Sequence, residues 1–129
     1  MQTFEKTITV SKDDLDHLNH VNNVRYVQWV QDIAEAHWLQ NTSEEIRRDY
    51  FWVLLEHHIK YKGEALLNDK LNLKTFVSKA EGVSSIRHVE ITNTSNNKLI
   101  LTSETKWCFM SATAKKPARI FPEIAALFN

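Results

Sequence analysis

From Asp14 to Tyr26 the chain reads Asp14-Leu15-Asp16-His17-Leu18-Asn19-His20-Val21-Asn22-Asn23-Val24-Arg25-Tyr26. Carboxylates, imidazoles and carboxamides crowd together, and an apolar helical pattern begins where they end. The last polar residues therefore fall at a helix N-terminus. There, unpaired backbone N–H groups and the positive end of the helix dipole can receive a developing negative charge. A carboxylate beside such a point supplies what acyl transfer or hydrolysis needs: a base or nucleophile next to a stabiliser of an oxyanion. Each residue also has an ordinary role to weigh. An Asp in a turn before a helix forms Asx-turns and caps, Asn22 and Asn23 are natural N-caps, and His20 could be a hydrogen-bonded structural histidine.

The elements that must hold this cluster can be read around it. Thr3 to Val10 alternates, with Phe4, Ile8 and Val10 on one face, and reads as a strand. The helix after the cluster runs to about Leu39. Arg25, Gln28, Asp32 and Glu35 form one narrow polar stripe, while Val24, Tyr26, Val27, Trp29, Val30, Ile33, Ala34 and Trp38 cover the rest. A helix this apolar is wrapped on more than one side. Ser43 caps a short helix ending near Asp49. From Phe51 the period changes to two, with Phe51, Val53, Leu55, Ile59 and Tyr61 on one face. Further strands are expected over 70–79, 83–92 and 99–111, and a helical turn over 122–128. Adjacent strands with short turns favour an antiparallel meander, giving an α+β fold: a curved sheet around a long central helix.

Composition bounds the rest. A chain of 129 residues holds one hydrophobic core, so a single domain over 1–129 is expected. Lys plus Arg and Asp plus Glu number 16 each, leaving a net charge of zero, which argues against a broad nucleic-acid-binding face. With 1 Cys, Cys108, no internal disulfide is possible and a reducing cytosol is favoured. No secretory-signal pattern or membrane-length apolar run is visible, so a soluble, cytoplasmic protein with no membrane partner is expected.

With Tyr26 and Trp29 added, the run Asp14-Leu15-Asp16 and His20-Val21-Asn22-Asn23 resembles the active-site signature of hotdog-fold acyl thioesterases. It is similar to the 4-hydroxybenzoyl-CoA thioesterase-like group, and also to the acyl-ACP thioesterases. The order strand, motif loop, long helix, long strands matches along nearly the whole chain. Weaker echoes are Asp69, Trp107 and Lys116-Pro117-Ala118-Arg119-Ile120. The resemblance implies a hotdog fold and hydrolysis of an acyl thioester, most simply acyl-CoA, with CoA as part of the substrate and no separate cofactor. It places the catalytic carboxylate at Asp16 and an oxyanion-binding backbone N–H at Asn23. His20, in the catalytic set, and Asn22 would position substrate or water, and Tyr26 stands on the substrate side. It also implies a homodimer or homotetramer whose site lies between subunits. Two positions depart from the pattern. Asn19 stands where many relatives carry glycine, which asks asparagine to take a positive φ. Leu18 stands where the plant acyl-ACP enzymes carry an asparagine, which tilts the reading toward the CoA group. An acyl-ACP thioesterase and a non-hydrolytic acyl-CoA-binding protein are the alternatives.

The remaining candidates weigh less. Arg87, Lys115, Lys116 and Arg119, with Lys60 and Lys62, could anchor CoA phosphates or be solvated surface. Asp32 and Glu35 could supply a mid-helix carboxylate, but a solvated or interfacial stripe is preferred. Trp29, Trp38, Trp52 and Trp107 read as core, subunit contact or acyl-pocket lining. His57 and His58 are neighbours on a strand and face opposite ways, so they make no metal site. Cys108 reads as packing.

Overall fold

The computed structural model describes residues 1–129. Strand β1 (Thr3–Thr9) leads through a 3-10 turn at Lys12–Asp14 and the motif loop into helix α1 (Asn23–Asn41). Helix α2 (Glu44–Asp49) follows, then strands β2 (Tyr50–Tyr61), β3 (Lys70–Glu81), β4 (Ser84–Asn93) and β5 (Leu99–Ser111). A short β6 (Lys116–Pro117) and helix α3 (Pro122–Ala126) end the chain. The sheet is antiparallel in the order β1-β3-β4-β5-β2, with β6 paired to the end of β5. Its concave face wraps α1, the arrangement the resemblance implied.

Period-two patterning explains the packing. Along β4, Ser85, Arg87, Val89, Ile91 and Asn93 are buried and the residues between them are not. Along β3, Leu71, Leu73 and Thr75 do the same. These faces meet Tyr26, Trp29, Val30 and Ile33 of α1 in one apolar cluster, with Leu101 from β5 and Val10 and Val21 from the motif loop's ends. The expected polar stripe is present, with Gln28, Asp32 and Glu35 exposed. Gln28 Nε2 donates to Asp32 Oδ1 at 2.8 Å. Ser43 caps α2 by accepting from the Ile46 N–H, and Pro122 opens α3. The long helix runs two residues past the expected Leu39, to Asn41.

One expected face is reversed. Phe51, Val53 and Leu55 point outward, 41%, 39% and 53% exposed, while Trp52 and Leu54 are partly buried on the α1 side. The β2–β5 register slips between Leu54 and Glu56. The extra residue at this bulge exchanges the two faces, so that His57 and Ile59 turn inward beyond it. His57 pairs with Ser103 Oγ at 2.8 Å and His58 lies near Glu56 on the other side, so the two imidazoles do face opposite ways. No helix is long and apolar enough to cross a membrane.

Candidate active site

The motif loop is built on Asp14. Its Oδ2 accepts from the Ser11 N–H at 2.8 Å and the Ser11 hydroxyl at 3.2 Å, and its Oδ1 pairs with Arg25 Nε at 3.0 Å. Its carbonyl accepts from the Asn22 N–H at 2.8 Å. Asp14 thus ties the entry of the loop to the first turn of α1. A bridge between Leu15 and Val21 closes the segment between them. Inside it, the Asp16 N–H donates to the His20 carbonyl at 2.7 Å and the Asn19 N–H to the Asp16 carbonyl at 3.0 Å. The chain reverses at Asn19, whose φ is +63°, the left-handed value the glycine-like position demands.

Asp16 divides its carboxylate. Oδ1 accepts from the Leu18 N–H at 2.9 Å and the His20 N–H at 3.2 Å, while Oδ2 has no partner in the chain. The N–H groups of His20 and then Leu18 hold the carboxyl below its ordinary value, so it is ionised at neutral pH. The Asx-turn and the catalytic reading of this residue are therefore compatible, since each uses a different oxygen.

Helix α1 starts at Asn23. Asn22 Oδ1 accepts from the Val24 N–H at 3.0 Å, which caps the helix and leaves the Asn23 N–H without a partner at its positive end. Asn23 Oδ1 accepts from the Tyr61 hydroxyl at the end of β2. Tyr26 lies beneath, its oxygen accepting from the Ala65 N–H at 3.0 Å and its ring edge-on to Tyr61 at 5.9 Å. Burial raises both phenols, which stay protonated at neutral pH.

Asp16, His20, Val21, Asn23, Tyr26, Tyr61, Gly63 and Glu64 line one open pocket of about 270 Å³. The structure thus brings Asp16, His20, Asn23 and Tyr26 together. Two residues are additions: Tyr61, and Glu64, whose Oε2 lies 3.7 Å from His20 Nδ1. A chemically able carboxylate, a free helix-start N–H and an imidazole–carboxylate pair share this space.

Other expected site residues lie elsewhere. Asn22, expected to position substrate, spends its side-chain oxygen on the helix cap. Arg87 is no surface anchor for CoA phosphates. It is 7% exposed, because its place two residues before Val89 on β4 turns it to the core face. Its Nη1 donates to His37 Nδ1 at 2.9 Å and Thr75 Oγ1 at 3.0 Å. Burial lowers it to about 10, so it remains a cation at neutral pH. Lys115, Lys116 and Arg119 are exposed as expected but sit with the β5–β6 turn. The β2–β5 register pairs Tyr61 with Leu101 and Tyr50 with Ser111, so the cluster lies at the opposite end of the sheet from the pocket. The separation is roughly 30 Å at the rise of a strand. Within one chain these cations do not meet Asp16.

Comparison with solved structures places the fold. A 1,4-dihydroxy-2-naphthoyl-CoA thioesterase from Synechocystis superposes with a TM-score of 0.84 at 17% identity, over 98% of this chain and 95% of that one. A probable thioesterase from Escherichia coli gives 0.85 at 21% identity, covering 95% and 94%. A Staphylococcus aureus protein in complex with CoA gives 0.87 at 19% identity, covering 98% and 81%. No curated protein matches the sequence. The family model of the thioesterase-like superfamily matches residues 10–128, from the end of β1 through the motif loop to the last helix. The chain is therefore a hotdog-fold member of the thioesterase-like superfamily.

Proposed function

We propose that the protein hydrolyses acyl-CoA thioesters to the free acid and CoA, with Asp16 as the catalytic carboxylate. The observation that carries this reading is the pairing of two unspent groups in one pocket: Asp16 Oδ2 and the Asn23 N–H. The substrate carbonyl oxygen is held by the Asn23 N–H, where α1's dipole favours negative charge. Water attacks the carbonyl carbon as Asp16 takes its proton, or Asp16 attacks directly and water resolves the anhydride. The oxyanion collapses and expels a thiolate, whose thiol pKa near 8.5 makes strong acid help unnecessary. His20, held near Glu64, positions substrate or water at the rim. CoA as the carrier is supported by the Synechocystis and Staphylococcus aureus relatives.

The working unit in this reading is a homodimer. Strand β2 is an edge strand with an unpaired side and an outward apolar row of Phe51, Val53 and Leu55. Antiparallel pairing of β2 with a second copy's β2 lays the Tyr50 end of one chain against the Tyr61 end of the other. That brings Lys115, Lys116 and Arg119 of one chain toward the other's pocket, where they can reach CoA phosphates.

The test is Asp16→Asn, which keeps shape and removes charge. It is expected to lower kcat on acyl-CoA esters by at least about 10²-fold, read as thiol release, with an unchanged thermal melt. Wild-type turnover in Asp16→Asn alongside a dead Glu35→Gln would move the carboxylate to the helix. Absence of turnover on any CoA or ACP ester, with binding intact, would favour a non-hydrolytic binding protein.

A further inference from the structure

A second, separate cavity of about 290 Å³ lies between the C-terminal half of α1, the sheet and α3. Its walls are mainly apolar, with Trp38, Trp52, Trp107 and Phe128 among them, and one wall is Arg87. It shares no residue with the pocket of Asp16. Such a lining of aromatic surface with a few fixed polar groups is the make-up of a small-molecule site, at the lower end of the usual size.

Arg87 is the unusual member. It is 7% exposed, yet no carboxylate lies within ion-pair distance of it. Its hydrogen-bond partners are Thr75 and His37, and both are uncharged. Arginine cannot accept, so His37 Nδ1 is the acceptor and its Nε2 carries the proton toward Gln2 Oε1 at 2.7 Å. The Phe128 ring, 5.5 Å from the guanidinium carbon, offers a quadrupole but no counter-charge. Glu35 stands on the exposed stripe at the cavity's mouth and does not approach the guanidinium.

The guanidinium is also only half used. All its bonds run through Nη1, while Nε and Nη2 donate to nothing. No fully enclosed side-chain N or O lacks a partner, so these N–H groups open onto the cavity. A buried cation without a counterion is costly. A planar fork of free donors facing an apolar chamber matches a carboxylate in charge and geometry.

We propose that this cavity binds a small carboxylic acid, its apolar body among the tryptophans and its carboxylate on Arg87. The acid is either the far end of an ω-carboxyacyl substrate held in a second copy's Asp16 pocket, which β2–β2 pairing brings to the Phe51 and Trp52 side of this cavity, or a free acid. The first source rests on the thioesterase reading and the second does not.

The probes are octanoate, methyl octanoate and octanol, followed by calorimetry and tryptophan fluorescence on the full chain. Octanoate is expected to bind, with the ester and the alcohol at least about tenfold weaker, because only octanoate brings a charge to the guanidinium. Arg87→Met should erase that preference. Ala34→Leu, which fills the cavity and leaves the Arg87 network intact, should abolish binding of all three, and it carries the test if Arg87→Met does not fold. Equal affinity for acid and ester, no binding of octanoate, or octanoate binding unchanged in Ala34→Leu would overturn the proposal. Kinetics separate the sources. A KM raised by Arg87→Met for 7-carboxyheptanoyl-CoA but not octanoyl-CoA assigns the carboxylate to the substrate's far end. Octanoate binding lost in Arg87→Met with both KM values unmoved assigns it to a free acid. The binding measurements need no turnover, so their failure is read apart from failure of the hydrolase reading.

Discussion

One oxygen of Asp16 secures the loop and the other faces the pocket, whereas both oxygens of Asp14 are engaged in structure. The neighbouring aspartates should therefore separate. Asp14→Asn is expected to lose about 1–2 kcal/mol of stability with the ion pair to Arg25, while each folded molecule keeps its activity. Denaturant titration beside kcat measures both. Because backbone N–H groups depress the Asp16 carboxyl, the acid limb of kcat/KM should lie below the ordinary carboxylate range. A limb near pH 6 would assign the base to another group. His37 gives an opposite kind of signal. Burial, and then the Arg87 cation, push it from 6.5 down to about 4. As pH falls, the unfolded chain takes up the proton before the folded one. Stability is then complete above about 6.5 and declines until about 4, with about 2 kcal/mol gone at pH 5. Urea melts at pH 7.5 and 5 check this, and His37→Gln should flatten the difference.

Helix α1 meets the site only through its first turn, and Asn22 sets where that turn begins. Asn22→Ala is expected to cost about 1 kcal/mol and to lower kcat, and Asn22→Ser to restore both, since serine caps as well but has no carboxamide to offer a substrate. Failure of serine to rescue kcat would return Asn22 to the binding role. Local signals such as this cap were readable in the sequence: the Ser43 cap, the proline opening α3 and the strand limits within two residues, while the positive φ at Asn19 was implied by the family resemblance. The bulge in β2 was not, because the slip is a property of the pairing with β5 and leaves no turn residue behind. Alternation with Val89 and Ile91 puts Arg87 on the core face, against the surface placement its charge alone suggests. Tyr61 and Glu64 join the motif from about forty residues downstream, and only the closed fold shows them together.

At the scale of the molecule, the outward row on β2 is the test of assembly. Val53→Glu with Leu55→Glu should leave the core intact, split the dimer in light scattering and lower kcat/KM on acyl-CoA together with it. An active monomer would remove the shared site. The same row has a history in time. Strand β2 and its one partner in the sheet, β5, are far apart along the chain, Tyr50 pairing with Ser111 and Tyr61 with Leu101. At 5–20 residues per second, a ribosome needs roughly 2–10 s to make the chain through β5 after finishing β2. During that interval β2 has neither its neighbour in the sheet nor a second copy at its edge, and it carries Phe51, Trp52, Val53, Leu54 and Leu55 in unbroken succession. The segment proposed to pair two copies is thus adhesive during synthesis, and the yield of soluble protein should depend on translation speed and chaperone supply more than the final stability would suggest.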